Sequence, residues 1–167
     1  DGLEVCRQLR AVSTAPIIFL TSRTDEVDEL VGFAAGGDDY VTKPFSPKVV
    51  VARVSSLLRR KQRTTTEERT RFEAGPLVVD TQSRIALLDG EPIHLTRTEF
   101  DLLTTMMENP ERVCTREMLL ERVWGEWFGD THVVEVHMSR LRNKVTSAGG
   151  PKIGTVARGV GWRLGVS

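Results

Sequence analysis

This chain of 167 residues has no net charge, no cysteine framework and no long apolar run. Its 23 Lys and Arg side chains balance 23 Asp and Glu, which taken alone argues against a polyanion-binding protein. Its two cysteines, Cys6 and Cys114, supply neither metal-ligand spacing nor a disulfide pattern, so a reduced setting is expected. No apolar stretch approaches the roughly 20 residues that span a bilayer, and no signal-peptide pattern opens the chain. A cytoplasmic protein with no membrane contact is the resulting expectation. Hydrophobic residues at 40% and charged residues at 28% exclude gross disorder.

What is present is an uneven distribution of charge. Residues 1–60 carry eight basic and eight acidic side chains, and residues 73–130 carry five and twelve. Residues 131–167 carry six basic residues against Glu135 alone, a local charge of +5. Cations gathered in one terminal segment are what a polyanion-binding surface needs, so the neutral average misleads.

Residues 1–60 alternate helix and strand. A helix over Leu3–Arg10 presents Leu3 and Cys6 on one apolar side, with Leu9 at its margin, and Ala15–Thr21 reads as a parallel strand buried on both faces. Glu26–Ala35 is predicted helical with a stop at Gly36-Gly37, and Tyr40–Thr42 as a strand. Ser46-Pro47 supplies an N-cap and a proline at the first helical position for a helix running to Arg60. This order predicts part of a doubly wound, flavodoxin-like α/β domain that opens in mid-pattern, as though sequence preceded Asp1. Residues 61–73, polar and without apolar period, read as a linker.

Residues 74–167 predict an α+β domain. Strands at Leu77–Asp80, Arg84–Leu88 and Ile93–Leu95 are separated by turns, one at Asp89-Gly90. Thr96-Arg97-Thr98-Glu99 matches a capping box ahead of a helix that stops near Asn109-Pro110. Thr115 caps a second helix, and Gly129–Val145 contains a third. Two β segments around Arg158-Gly159-Val160-Gly161 finish a winged helix-turn-helix pattern.

The third helix has two faces. Val134, Met138, Leu141 and Val145 form a core stripe. Val133, Val136, His137, Arg140 and Lys144 share the neighbouring face, with Asn143 beside it. Valines can meet thymine methyls and an arginine can bind guanine bidentately, so this mixture suits a major groove. Arg142 and Lys144 are candidate phosphate contacts, and the glycine-rich hairpin can hold Arg158 near the minor groove or backbone. A solvated basic edge is the plainer reading of such a helix. The two preceding helices and the hairpin favour DNA.

The motifs GGDDYVTKPFSPKVVVARVSSLLRR, LTRTEFDLLTTMMENPERVCTREMLLERVWG, VVEVHMSRLRNKV and VARGVGWRL, in this order, resemble the OmpR/PhoB subfamily of two-component response regulators. The resemblance implies a receiver domain joined to a winged-helix effector. It also implies phosphorylation by a sensor histidine kinase on an aspartate with no counterpart in this sequence, with Mg²⁺ held by acids that are likewise outside it. By the same resemblance Thr21 and Lys43 contact the phosphoryl group and Tyr40 is the aromatic switch. Asp39 with Arg53, and Asp38 with Arg60, match charge pairs of the receiver's homodimer face. His132, Thr155 and Arg158 match DNA-contact positions, and Trp127 and Phe128 lie in the loop that touches RNA polymerase in this family.

Several positions depart from the family pattern. Glu29 and Val49, and Ala34 and Ser55, replace frequent charged partners of the dimer face, which predicts weaker or differently registered receiver dimerisation. His132 stands where arginine is common, Val156 rather than Thr155 where a phosphate-contacting threonine is common, and Trp162 where tyrosine is usual. The overall expectation is a phosphorylation-controlled transcription factor that pairs on direct repeats of promoter DNA. A phosphorylation-independent regulator is one alternative. An α/β enzyme fragment using Lys43 and Thr21 is another, disfavoured because no phosphate loop, nucleophile–base pair or metal cluster is visible.

Overall fold

The computed structural model describes residues 1–22, 26–58, 69–125 and 131–166. The N-terminal part runs α1 (Gly2–Val12), β1 (Ile18–Thr21), α2 (Glu26–Ala35), β2 (Asp39–Thr42) and α3 (Pro47–Leu58). Asp1 caps α1 by accepting from the Glu4 backbone N–H at 2.9 Å. β1 and β2 pair in parallel, with Ile18 opposite Asp39 and Thr21 opposite Thr42. At the end of α2, Gly36 adopts φ +121°, and a Cβ on Gly37 would meet the Phe19 ring at 2.6 Å. The double-glycine stop thus also brings α2 close to the sheet.

Two expectations for this part are corrected. Of the predicted α1 stripe only Cys6 is buried, its thiol donating to the Ala35 carbonyl at 3.5 Å, while Leu9 is 45% exposed. Among the described residues β1 pairs on one side only, and Leu20 is 44% exposed rather than buried on both faces. An apolar run reports a strand's capacity for burial, not how many neighbours it has.

The C-terminal part opens with an antiparallel sheet, β3 (Arg71–Ala74), β4 (Leu77–Asp80), β5 (Ile85–Leu88) and β6 (Glu91–Ile93), paired in that order. β3 begins inside the stretch expected as linker; Phe72 is its one inward apolar residue ahead of Ala74, too little to register as a period. Residues 61–68 of that stretch lie outside the described residues. α4 (Arg97–Met107) carries the predicted capping box: Thr96 accepts from the Glu99 N–H, and Glu99 accepts from the Thr96 N–H at 2.9 Å.

β7 (Cys114–Thr115) follows, then α5 (Arg116–Leu119), capped by Thr115 as expected and continued by a π-helical turn, Leu120–Trp124. α6 spans Val133–Ser147, and the hairpin β8 (Thr155–Ala157) and β9 (Gly161–Arg163) closes the chain, with β9 paired to both β7 and β8. A Cβ on Gly161 would lie 2.0 Å from the Cys114 carbonyl, so only glycine allows that pairing. A single apolar core joins the two parts: Phe33, Tyr40 and Leu57 belong to the same cluster as Leu102, Met106, Trp124 and Leu141.

Candidate nucleic-acid interface and receiver switch

α6 has the predicted core stripe, with Val134, Met138, Leu141 and Val145 all buried, and the helix packs against α4. Its neighbouring face does not open to solvent. Val133 is buried, Val136 is half-buried, and His137 has 0% exposure. The covering element is α2 of the N-terminal part. The Phe33 ring meets the His137 ring edge-on at 5.8 Å, and the Trp124 ring meets it edge-on at 5.5 Å. Arg140 donates to the Phe33 carbonyl at 3.2 Å. The helix face expected to read bases is therefore closed against the neighbouring domain, because valine and imidazole suit a protein surface as well as a groove.

The cations on this face are held by a group that sequence reasoning assigned only to capping. The Glu99 carboxylate, with 0% exposure, lies 3.1 Å from Arg140 Nη2 and accepts from Lys144 Nζ at 2.6 Å. The Arg140 contact is close without the alignment of a hydrogen bond. Glu at the third helical position was legible as a cap; its second task depends on α6 crossing above it.

Other predicted contacts divide. Asn143, Thr155 and Arg158 are exposed, as is His132 at the start of α6. Arg142, expected on phosphate, instead donates to the carbonyls of Ile153 (3.0 Å) and Gly154 (2.5 Å), tying α6 to the start of the hairpin. Trp127 and Phe128 lie outside the described residues.

At the receiver end, Thr21 and Lys43 sit together at the C-terminal edge of the sheet, where the Lys43 N–H donates to the Thr21 carbonyl at 2.6 Å. The Lys43 side chain is exposed. Tyr40 is buried, its ring tilted against Phe19 at 6.3 Å and lying over Gly32 of α2. Among the described residues, no group of three or more His, Cys, Asp or Glu side chains is positioned to hold a metal ion.

The predicted dimer-face acids are turned inward. Asp39 and Arg53, expected as a pair across the homodimer face, lie 3.4 Å apart within one chain, with both side chains buried. Asp38 is fully buried: it accepts from Arg10 Nη2 at 2.5 Å, from the Ile17 N–H at 2.8 Å, and from the Thr98 hydroxyl of α4 at 2.5 Å. Burial pushes its carboxyl pKa up, outweighing the lowering by Arg10 and these donors. Its anticipated partner, Arg60, lies outside the described residues. Trp124 Nε1 donates to the Asp38 carbonyl at 3.3 Å, and the Ser56 hydroxyl donates to the Trp124 carbonyl, so three bonds cross between the two parts around one residue pair.

Comparison with known proteins gives this geometry its relatives. Residues 1–55 match the family described as Response regulator receiver domain, and residues 90–164 that described as Transcriptional regulatory protein, C terminal. The chain is 44% identical over 168 residues to the uncharacterized transcriptional regulatory protein YclJ of Bacillus subtilis, covering 98% of this chain and 74% of that protein. It is likewise 44% identical over 167 residues to the DNA-binding response regulator MtrA of Mycolicibacterium smegmatis, covering 99% of this chain and 72% of that one. Among solved structures it is similar to the response regulator DrrB of Thermotoga maritima, an OmpR/PhoB homologue, at 35% identity and a TM-score of 0.52, over 98% of this chain and 73% of that one. With a receiver sequence leading into a winged-helix effector, and relatives at this level along nearly its whole length, the chain belongs to the OmpR/PhoB-type response regulators.

Proposed function

We propose that this protein is a DNA-binding transcription regulator whose receiver controls access to its reading helix, α6. The observation that carries this reading is the closure of α6 by α2: the Phe33 ring packs on the His137 imidazole and the Phe33 carbonyl accepts from Arg140, while Trp124 and Glu99 of the effector complete the enclosure. A covered reader is a regulated reader. The similarity to MtrA, described as a DNA-binding response regulator, supports the same conclusion.

A physical route for control follows from the packing. A phosphoryl group at the strand ends would draw the Lys43 cation and the Thr21 hydroxyl, since it needs positive charge and donors. Tyr40 lies two residues before Thr42 on the paired strand, and its ring rests on Gly32, beside Phe33. A shift of Tyr40 therefore moves the helix that caps His137 and Arg140. Freed, Arg140 reads guanine, Val133 and Val136 shape the contact, and Lys144 and Arg158 meet phosphates. Paired effectors on direct repeats, brought together by a receiver homodimer, gain affinity through effective concentration. A sensor histidine kinase and RNA polymerase complete the partners of this reading.

Titration of DNA duplexes selected from a random pool tests it. Arg140→Ala is expected to cost about 1–3 kcal/mol on the selected site and to relax its sequence preference, whereas Lys144→Ala weakens every duplex and lowers the salt slope by about one. Equal loss on selected and random DNA for Arg140→Ala would remove base readout from α6.

A further inference from the structure

We propose that His137 is a proton-operated latch: neutral, it seals α6 against α2, and protonated, it both releases the closure and joins the DNA-facing cations of α6. This inference rests on the reading of α6 as the DNA-reading helix. The geometry is that of a pocket made for the uncharged ring. His137 has 0% exposure, packs edge-on with the Phe33 and Trp124 rings, and among the described residues neither of its nitrogens has a hydrogen-bond partner. A buried ring with two unsatisfied nitrogens is unusual unless the site has another state in which they are satisfied.

The cations that act on the ring are Arg140 and Lys144 of α6 itself and Arg10 of α1. The acids that hold these cations are Glu99 on α4 and Asp38 on the turn before β2. Both acids are already engaged, Glu99 by Arg140 and Lys144 and Asp38 by Arg10, so no carboxylate is left to receive an imidazolium. Burial first, and then Arg140, Arg10 and Lys144, hold the His137 pKa well below its ordinary 6.5 in the closed form. Opened to water, the ring returns towards 6.5. The closed form thus binds fewer protons. His137 contributes fully to closure above about pH 6.5 and opposes it as pH falls below that value. Asp38 acts with the opposite sign, because its raised pKa lets the closed form take up a proton sooner. The quantity that isolates the latch is therefore a comparison with variants that keep Asp38 and lack the imidazole.

The experiment is hydrogen exchange of the α2 and α6 amides in the full chain at about pH 8 and about pH 5.5, corrected for intrinsic exchange, in wild type, His137→Phe and His137→Asn. Phe keeps an apolar ring in the pocket; Asn keeps a polar group that does not titrate. The opening constant of wild type relative to either variant should rise about tenfold between the two pH values, the factor set by an open-state pKa near 6.5. An unchanged ratio, or an equal rise in the variants, overturns the latch. A parallel titration with random-sequence duplex DNA separates this from the underlying reading: opening with no binding at either pH keeps the latch and removes the DNA-reading role. Binding that gains about one unit of salt slope at low pH in wild type alone supports both.

Discussion

Glu99 shows how one side chain can belong to two structures. As the third residue of α4 it completes a capping box with Thr96, and as a buried anion it holds Arg140 and Lys144 from α6. Glu99→Gln keeps the cap chemistry and removes the charge. Because both cations are partly exposed, the loss is expected at about 1–3 kcal/mol in urea unfolding, below that of a fully buried pair. Thr96→Ala, which removes the cap alone, should cost about 1 kcal/mol. If Glu99→Gln costs no more than Thr96→Ala, the two ion pairs contribute nothing. The capping role was readable because it is local, three residues along one helix. The ion pairs were not, since nothing in the spacing of residues 99, 140 and 144 states that the helices cross there. Asp39 and Arg53 illustrate the middle case: family resemblance singled out both residues for a pair across the dimer face, and the ion pair they make here lies inside one chain.

Among the elements, α2, α4 and the core stripe of α6 follow from apolar period and caps, whereas β7 is two residues long and exists only through its pairing to β9. Arg142 exposes the limit of reading a helix by its wheel. It lies next to the DNA face, yet its guanidinium binds the Ile153 and Gly154 carbonyls, where a bend at Gly154 leads into the hairpin. Arg142→Ala is therefore expected to raise hydrogen exchange in β8 and β9 severalfold while leaving the salt slope of DNA binding unchanged. A slope reduced by about one, with the hairpin still protected, would return Arg142 to the phosphate contacts.

Across the whole molecule, the two parts share a core and are joined at Asp38, whose carboxylate and carbonyl serve Thr98 and Trp124 of the effector. Thr98→Val preserves side-chain shape and removes the donor to a carboxylate that is dry only in the closed form. Losing a hydrogen bond to a buried charge favours opening, so DNA affinity should rise about tenfold or more. Unchanged affinity in a folded variant would mean that closure does not limit binding. This level of organisation was the least legible in the sequence. A face of Val133, Val136, His137 and Arg140 satisfies the demands of a groove and of a protein surface alike, and only the fold tells which partner is present.

Closure also orders the steps by which DNA is met. While Glu99 holds Arg140 and Lys144, the exposed cations of the C-terminal segment are Lys152, Arg158 and Arg163, on and beside the hairpin. On the proposed function these attract the duplex from a distance, so the encounter rate depends on ionic strength and is blind to sequence. The readout cations engage only after α6 is uncovered, and they govern how long the complex lasts. Search and recognition are thereby assigned to different side chains and separated in time.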